Sequence, residues 1–119
     1  MGSDSKIFVA GHKGLVGSAI VRHLEAEGFT NIITVDRSQC DLTNENAVKM
    51  FFMMEQPEYV FLAAAKVGGI GGNSDYPADF IYENLMIQSN VINSAAIVGV
   101  EKLLFLGSLA SILSLQSNQ

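Results

Sequence analysis

Three glycines, each separated from the next by two residues, mark the first turn of the chain: Gly11, Gly14 and Gly17. They follow a short apolar run and open a segment whose apolar residues recur at helical spacing. At such a turn the first glycine permits a tight bend, the second lets an anion approach the backbone, and the third lets the helix lie close to the strand. Free N–H groups at the helix start attract phosphate. The turn therefore predicts a nucleotide cofactor, with its pyrophosphate bound by Gly11, His12, Lys13, Gly14, Leu15, Val16 and Gly17.

Charged residues after the second apolar run bear on the type of cofactor. An acidic residue at this point favours a free ribose diol, whereas a cation favours a 2′-phosphate. Asp36 and Arg37 offer one of each, and Lys13 adds a second cation from the glycine turn. The two cations favour NADP(H) over NAD. The alternative is that Lys13 and Arg37 are merely solvated.

Two further segments could contact the same cofactor. The Asp41 carboxylate could accept from the amino group of adenine while Leu42 covers the ring, although Asp41 could equally cap a helix at Thr43. A run of small residues, Ala63–Ala65, ends the third apolar strand. Small side chains there would let a cofactor lie against the carboxyl end of the strand, or would serve tight core packing instead.

The elements that position these residues can be placed from apolar periodicity. Short apolar runs predict strands at residues 6–10, 32–35, 59–62 and 102–106, and 3.6-residue periodicity predicts three helices between them. The first helix ends at Gly28, the second precedes Pro57, and the third covers residues 77–99. A β-α-β-α-β-α-β order with right-handed crossovers predicts an α/β Rossmann-type parallel sheet with helices on both faces.

Composition narrows the class of protein. The chain has 119 residues, 49% of them hydrophobic, and a formal net charge of −5. That size suits one modest domain, and the negative charge without a basic run argues against nucleic acid as a partner.

No apolar stretch reaches the roughly 18 residues of a membrane span and no signal peptide is evident, so a cytoplasmic protein is expected. The single cysteine, Cys40, excludes an internal disulfide, and no metal site is predicted.

Four stretches of the chain resemble one family. Residues 9–20 (VAGHKGLVGSAI), 62–70 (LAAAKVGGI), 76–82 (YPADFIY) and 102–108 (KLLFLGS) are similar to the N-terminal portion of the GDP-L-fucose synthase family. Its members are extended short-chain dehydrogenase/reductases of the NAD-dependent epimerase/dehydratase type. The resemblance covers residues 6–108 and its motifs are specific.

The resemblance implies a reaction and a set of site residues. The family converts GDP-4-keto-6-deoxymannose to GDP-L-fucose with NADPH, by epimerisation at two carbons followed by hydride reduction, and its members are homodimers joined through long helices. Carried over, residues 11–17 match the phosphate turn, residues 37–42 the ribose and adenine contacts, and Leu106 the start of the active-site segment. Ser108 matches the family's catalytic serine, which helps polarise the keto oxygen.

Agreement with the family stops after Ser108. Ala110 stands where the family carries its epimerisation cysteine, and no tyrosine among the 119 residues has lysine four places on. That Tyr-x-x-x-Lys pair provides the proton donor and the cation that lowers its pKa. We therefore expect a partial NADP-binding domain over residues 1–108, truncated after the fourth strand, and a divergent tail over residues 109–119.

Three functions are compatible with these features. The chain could be the cofactor-binding half of a nucleotide-sugar epimerase-reductase, a nucleotide-binding module without turnover, or an inactive fragment that self-associates. The third depends on the expectation that the fourth strand is an exposed edge and the long helix 77–99 is uncovered. Whether the chain acts as an enzyme is thus undecided at this point, and catalytic incompetence of these residues alone is expected.

Overall fold

Strands and helices alternate along the chain in its computed structural model, which describes residues 1–63, 77–106 and 110–114. The elements are β1 (Ile7–Ala10), α1 (Leu15–Ala26), β2 (Ile32–Ile33), α2 (Glu45–Glu55), β3 (Tyr59–Leu62), α3 (Pro77–Val98), β4 (Lys102–Leu106) and β5 (Ala110–Ser114). Strands β1, β3 and β4 coincide with the predicted runs to within one residue. Strand β2 is shorter than predicted, because the chain leaves the sheet after Ile33 and enters the loop that carries Asp36.

The strands form one sheet in the order β2-β1-β3-β4-β5. Strand β1 pairs in parallel with both β2 and β3, and β3 pairs in parallel with β4. The register sets Ala10 beside Leu62 and Leu62 beside Phe105, so three carboxyl ends meet at one edge of the sheet. This confirms the Rossmann-type α/β fold, and the edge formed by those carboxyl ends is where such sheets bind ligands.

Both faces of the sheet are covered by helices. Alternate side chains of β1 point to opposite faces, so Phe8 packs on α2 and α3 whereas Ile7 and Val9 pack on Leu24 of α1. The larger core contains fully buried Phe8 and Phe52, whose ring centroids lie 5.6 Å apart in an edge-on arrangement. Burial of these apolar side chains is the main stabilising contribution, worth about 2 kcal/mol for each large side chain.

The ends of α1 and α2 are set by local chemistry. Gly28, at φ +94°, follows α1, and the Phe29 N–H donates to the Leu24 carbonyl at 3.0 Å, which confirms the predicted C-terminal glycine. Helix α2 begins one residue after Asn44, whose side chain accepts from the Ala47 N–H at 2.9 Å. The alternative that Asp41 caps a helix at Thr43 was therefore wrong, because α2 begins later and Asn44 has the acceptor that reaches its third N–H.

The tail contains a strand that the sequence pattern did not predict. Residues Ala110–Ser114 pair antiparallel with β4, with Ala110 opposite Leu106 and Ser114 opposite Lys102. The expectation that the fourth strand is an exposed edge was therefore wrong. Only three residues separate the two strands in sequence, and a connection so short joins antiparallel neighbours, whereas a parallel pair needs a long crossover.

Among the residues that the structure describes, no helix is both long and apolar enough to cross a membrane.

Candidate functional site

A groove lies at the carboxyl ends of β1 and β3, with a volume of about 340 Å³. Its walls come from the glycine turn, the loop after β2, the end of β3 and one residue of α3. The lining residues are Gly11, His12, Lys13, Gly14, Val35, Asp36, Arg37, Cys40, Asp41, Leu42, Thr43, Ala63 and Ile87. The groove thus brings together most of the residues predicted to bind the cofactor.

The glycine turn is fixed by its backbone. Gly11 has a φ of +90°, and the Gly14 N–H donates to the Gly11 carbonyl at 3.1 Å. A Cβ placed on Gly17 would lie 1.9 Å from that same carbonyl oxygen, so no other residue fits there. A Cβ on Gly14 would meet nothing closer than 3.6 Å. Gly17 is therefore required by the packing of helix on strand, whereas Gly14 leaves open space in front of the backbone.

Leu15 and Val16 stand at the start of α1, and their side chains face away from this groove. They are 87% and 52% exposed and line a second, apolar groove along α1 with Ile20 and Phe61. The first N–H groups of a helix have no partner within it. Any contribution of Leu15 and Val16 to phosphate binding would therefore come from their backbone.

Charged side chains ring the open side of the groove. Lys13 Nζ lies 3.0 Å and His12 Nε2 3.6 Å from the same Asp36 oxygen. The Arg37 guanidinium lies 3.7 Å from an oxygen of Asp41 and 3.7 Å from an oxygen of Glu83 on α3. We call Lys13, Asp36, Arg37, Asp41 and Glu83 the charged rim. Both cations that the sequence assigned to a 2′-phosphate are thus held by carboxylates.

Asp41 stabilises the loop before α2. One of its oxygens accepts from the Thr43 hydroxyl at 2.7 Å and from the Thr43 N–H at 3.0 Å. These two hydrogen bonds, with the nearby Arg37 guanidinium, hold the pKa of Asp41 below its ordinary value. The carboxylate therefore stays charged at the rim. The following residue is also fixed, because the Asn90 side chain of α3 donates to the Leu42 carbonyl at 2.9 Å.

Cys40 lines the groove but is only 6% exposed. Its Sγ lies 3.7 Å from the Ala47 carbonyl. Burial, together with the charge of Asp41, raises the pKa of the thiol. The thiol is therefore protonated at neutral pH and packs as a small apolar group.

The remaining predicted residues are placed differently. Ala63 lines the groove, and its N–H donates to the Ala10 carbonyl at 2.9 Å. Leu106 ends β4 opposite Ala110 and is not among the residues lining the groove. Ala64, Ala65 and Ser108 lie outside the described residues. In the described part of the chain, no group of three His, Cys, Asp or Glu side chains is arranged to hold a metal ion.

Sequence reasoning assigned no cofactor contact to three of the residues that line the groove, which are Val35, Thr43 and Ile87. Thr43 was signalled by its position two residues after Asp41, the spacing of an Asx turn. Ile87 had no local signal, because only the crossing of α3 behind the loop after β2 brings it to the groove.

The sequence of the chain matches a protein family and is similar to several known proteins. Residues 7–114 match the family described as "NAD dependent epimerase/dehydratase family". The chain is 64% identical over 105 residues to "Putative GDP-L-fucose synthase 2" of Arabidopsis thaliana, covering 88% of this chain and 32% of that protein. It is 52% identical over 106 residues to the "GDP-L-fucose synthase" of Escherichia coli (strain K12), covering 89% and 33%. The chain thus spans about a third of the length of these relatives.

Two solved structures are also similar to this chain in fold. "MlghC, GDP-mannoheptose C4 reductase from Campylobacter jejuni with NADP bound" is similar at a TM-score of 0.85 and 50% identity, over 90% of this chain and 34% of that one. A gdp-l-fucose synthetase from Naegleria fowleri bound to NADP is similar at a TM-score of 0.76 and 27% identity, over 88% and 34%.

Proposed function

The chain belongs to the NAD-dependent epimerase/dehydratase family, and from this premise we propose that its groove binds NADP(H) as the cofactor half of a nucleotide-sugar epimerase-reductase. The observation that carries the proposal is the glycine turn. The Gly17 position admits no side chain and the Gly14 position leaves the backbone open. The first N–H groups of α1 have no partner within the helix, and a turn of this kind is suited to a pyrophosphate.

The lining of the groove supports a proposed path for the cofactor. With its pyrophosphate on the glycine turn, the adenosine half would extend along the loop after β2, where Asp41 and Leu42 line the wall. The ribose would then lie beside Lys13 and Arg37. Guanidinium and ammonium groups pair strongly with phosphate oxygens, which supports a preference for the 2′-phosphorylated cofactor. The NADP named in the two similar solved structures supports the same choice.

For the substrate we propose a GDP-linked 4-keto sugar: the names of the relatives support the GDP-linked sugar, and the family resemblance implies the 4-keto group. The chemistry would be epimerisation beside the keto group followed by hydride delivery from the cofactor. Ser108 would help polarise the keto oxygen in the proposed active site.

The 119 residues contain no Tyr-x-x-x-Lys pair. One acid/base group is typically worth about 10²- to 10⁴-fold in rate, so we expect these residues alone to bind cofactor without measurable turnover.

The long helix α3 supports a proposed partner. Among its described side chains, four large apolar or aromatic ones are more than half exposed: Ile81, Tyr82, Leu85 and Ile97. Exposed apolar surface of this kind is typical of interfaces between proteins. We propose that α3 meets the same helix of a second copy in a homodimer.

The test is a calorimetric titration of the 119-residue protein with NADPH and with NADH. We expect saturable binding of both, tighter for NADPH. Absence of binding at millimolar concentration of either cofactor would refute the proposed function. In the same preparation, formation of GDP-L-fucose from NADPH and the keto sugar would contradict the expected lack of turnover, and sedimentation would report the dimer.

A further inference from the structure

Asp36 pairs with Lys13, one of the two cations that the sequence assigns to a 2′-phosphate. Its carboxylate lies 3.0 Å from Lys13 Nζ and 3.6 Å from His12 Nε2. Both partners belong to the glycine turn, and all three residues line the groove. A phosphate that paired with Lys13 would therefore have to compete with Asp36 for the same ammonium group.

The position of Asp36 is fixed by its backbone. Its N–H donates to the Gln39 side chain at 2.7 Å. Its carbonyl accepts from the Gln39 N–H at 2.8 Å and from the Cys40 N–H at 2.9 Å. Because Cys40 is itself buried, this turn is tied to the core. These bonds fix the backbone from which the Asp36 side chain extends, and in this position its carboxylate lies beside Lys13.

Charge at the rim makes the competition costly. The charged rim has two cations, Lys13 and Arg37, and three carboxylates, Asp36, Asp41 and Glu83, so the rim carries one excess negative charge. A 2′-phosphate adds a charge of about −2. NAD lacks that group, leaves the ion pairs intact, and offers ribose hydroxyls from which a carboxylate can accept.

We propose that Asp36 is a specificity residue that limits the preference of this groove for NADP, by holding Lys13 and by repelling the 2′-phosphate, so that NAD is bound as well. The proposal rests on the proposed cofactor site and deepens it. In this arrangement Arg37 attracts the 2′-phosphate and Asp36 opposes it, and the measured preference is the difference between the two.

The test compares Asp36→Asn with the wild-type chain in calorimetric titrations with NADPH and NADH. Asparagine keeps the size and the backbone turn but removes the charge. We expect NADPH to bind about tenfold more tightly, the scale of one close charge pair, with NADH unchanged or a few-fold weaker. Asp4→Asn is the matched control, since it removes the same charge from an exposed residue outside the groove lining.

Two further measurements separate charge pairing from an indirect effect. Lys13→Ala added to Asp36→Asn is expected to remove most of the gain in NADPH affinity, because the released ammonium is its source. Raising the salt concentration is expected to shrink the effect, because the rim is partly exposed to solvent. Asp36→Ser, checked for folding by circular dichroism, is expected to shift the preference in the same direction.

The outcomes distinguish this inference from the proposed function. Binding of either cofactor with an NADPH-to-NADH ratio unchanged within twofold in Asp36→Asn and Asp36→Ser overturns the role of Asp36 and leaves the cofactor site standing. An equal shift in Asp4→Asn also overturns it. If neither cofactor binds the wild-type chain or the variants, the proposed function fails and the inference fails with it.

Discussion

The two halves of the groove are built in different ways. At the glycine turn, geometry comes from the backbone: a positive φ at Gly11, a carbonyl that excludes a Cβ at Gly17, and open space at Gly14. At the charged rim, geometry comes from side chains that pair across three segments of the chain. The first half admits no side chain at Gly17, whereas the charges of the second half can be changed by single substitutions. In the proposed function, the glycine turn provides binding and the rim selects among cofactors.

The largest expected effect is a loss of stability in Gly17→Ala. Its Cβ would lie 1.9 Å from the Gly11 carbonyl oxygen, so either helix α1 or the turn must move. We expect a loss of about 3 kcal/mol or more in the free energy of unfolding, measured by urea titration. Gly14→Ala is the control. Equal stability of Gly17→Ala and wild type would show that α1 does not depend on this close approach.

Gly14→Ala is expected to separate binding from folding. Its Cβ has room in the folded chain, with 3.6 Å to the nearest atom, but it would occupy the space in front of the phosphate-binding backbone. We expect cofactor affinity to fall about tenfold or more while the urea midpoint changes little. Unchanged affinity for NADPH would place the pyrophosphate elsewhere and would break the comparison between the two halves.

Lys13→Ala together with Arg37→Ala is expected to abolish the preference for NADPH over NADH. Each cation can supply a charge-assisted hydrogen bond to the 2′-phosphate, worth about tenfold in affinity. NADH affinity should change little, because NADH lacks that phosphate. Lys49→Ala on α2 is the control, since Lys49 pairs with Glu45 away from the groove. A preference that persists in the double variant would refute the assignment of both cations.

Asp41→Asn is expected to have the smallest effect, and one that depends on pH. The pKa of Asp41 is lowered in the folded chain, so its charge stabilises the fold above its unfolded pKa of about 4 and that contribution is lost as pH falls through the folded value. Because the side chain is 40% exposed, we expect under about 1 kcal/mol at neutral pH. Urea titrations at pH 7 and pH 3 measure it. Asp4→Asn is the control, and a difference that grows towards low pH would contradict this sign.

The contrast between the halves also explains what the sequence could predict. Strands β1, β3 and β4, and the end of α1 at Gly28, follow from apolar periodicity and glycine position, which are local properties. The glycine turn could also be predicted, because the spacing of its glycines is a local property of the sequence. Strand β5 was missed because a short run ending in mixed polar residues acquires its pairing only from β4.

The rim was only partly predictable. Lys13, Arg37 and Asp41 were identified as charges near the cofactor, but their partners were not. Pairing of Arg37 with Glu83 depends on two residues 46 positions apart, and no local pattern encodes it. The sequence showed Asp36 and Arg37 as neighbours of opposite charge, yet only the structure shows that Asp36 is paired with Lys13 of the glycine turn.

Helix α3 supports the groove through three residues at intervals of four and three: Ile87 lines it, Glu83 contacts Arg37, and Asn90 contacts the Leu42 carbonyl. These intervals match the turns of a helix, so all three lie along one stripe of its surface. Each added residue rotates the rest of the helix by about 100°. An insertion or deletion between positions 83 and 90 would therefore rotate Glu83 and Asn90 to different sides of the helix. The contacts with Arg37 and Leu42 could then no longer form together. The three contacts therefore require this segment of α3 to keep its length.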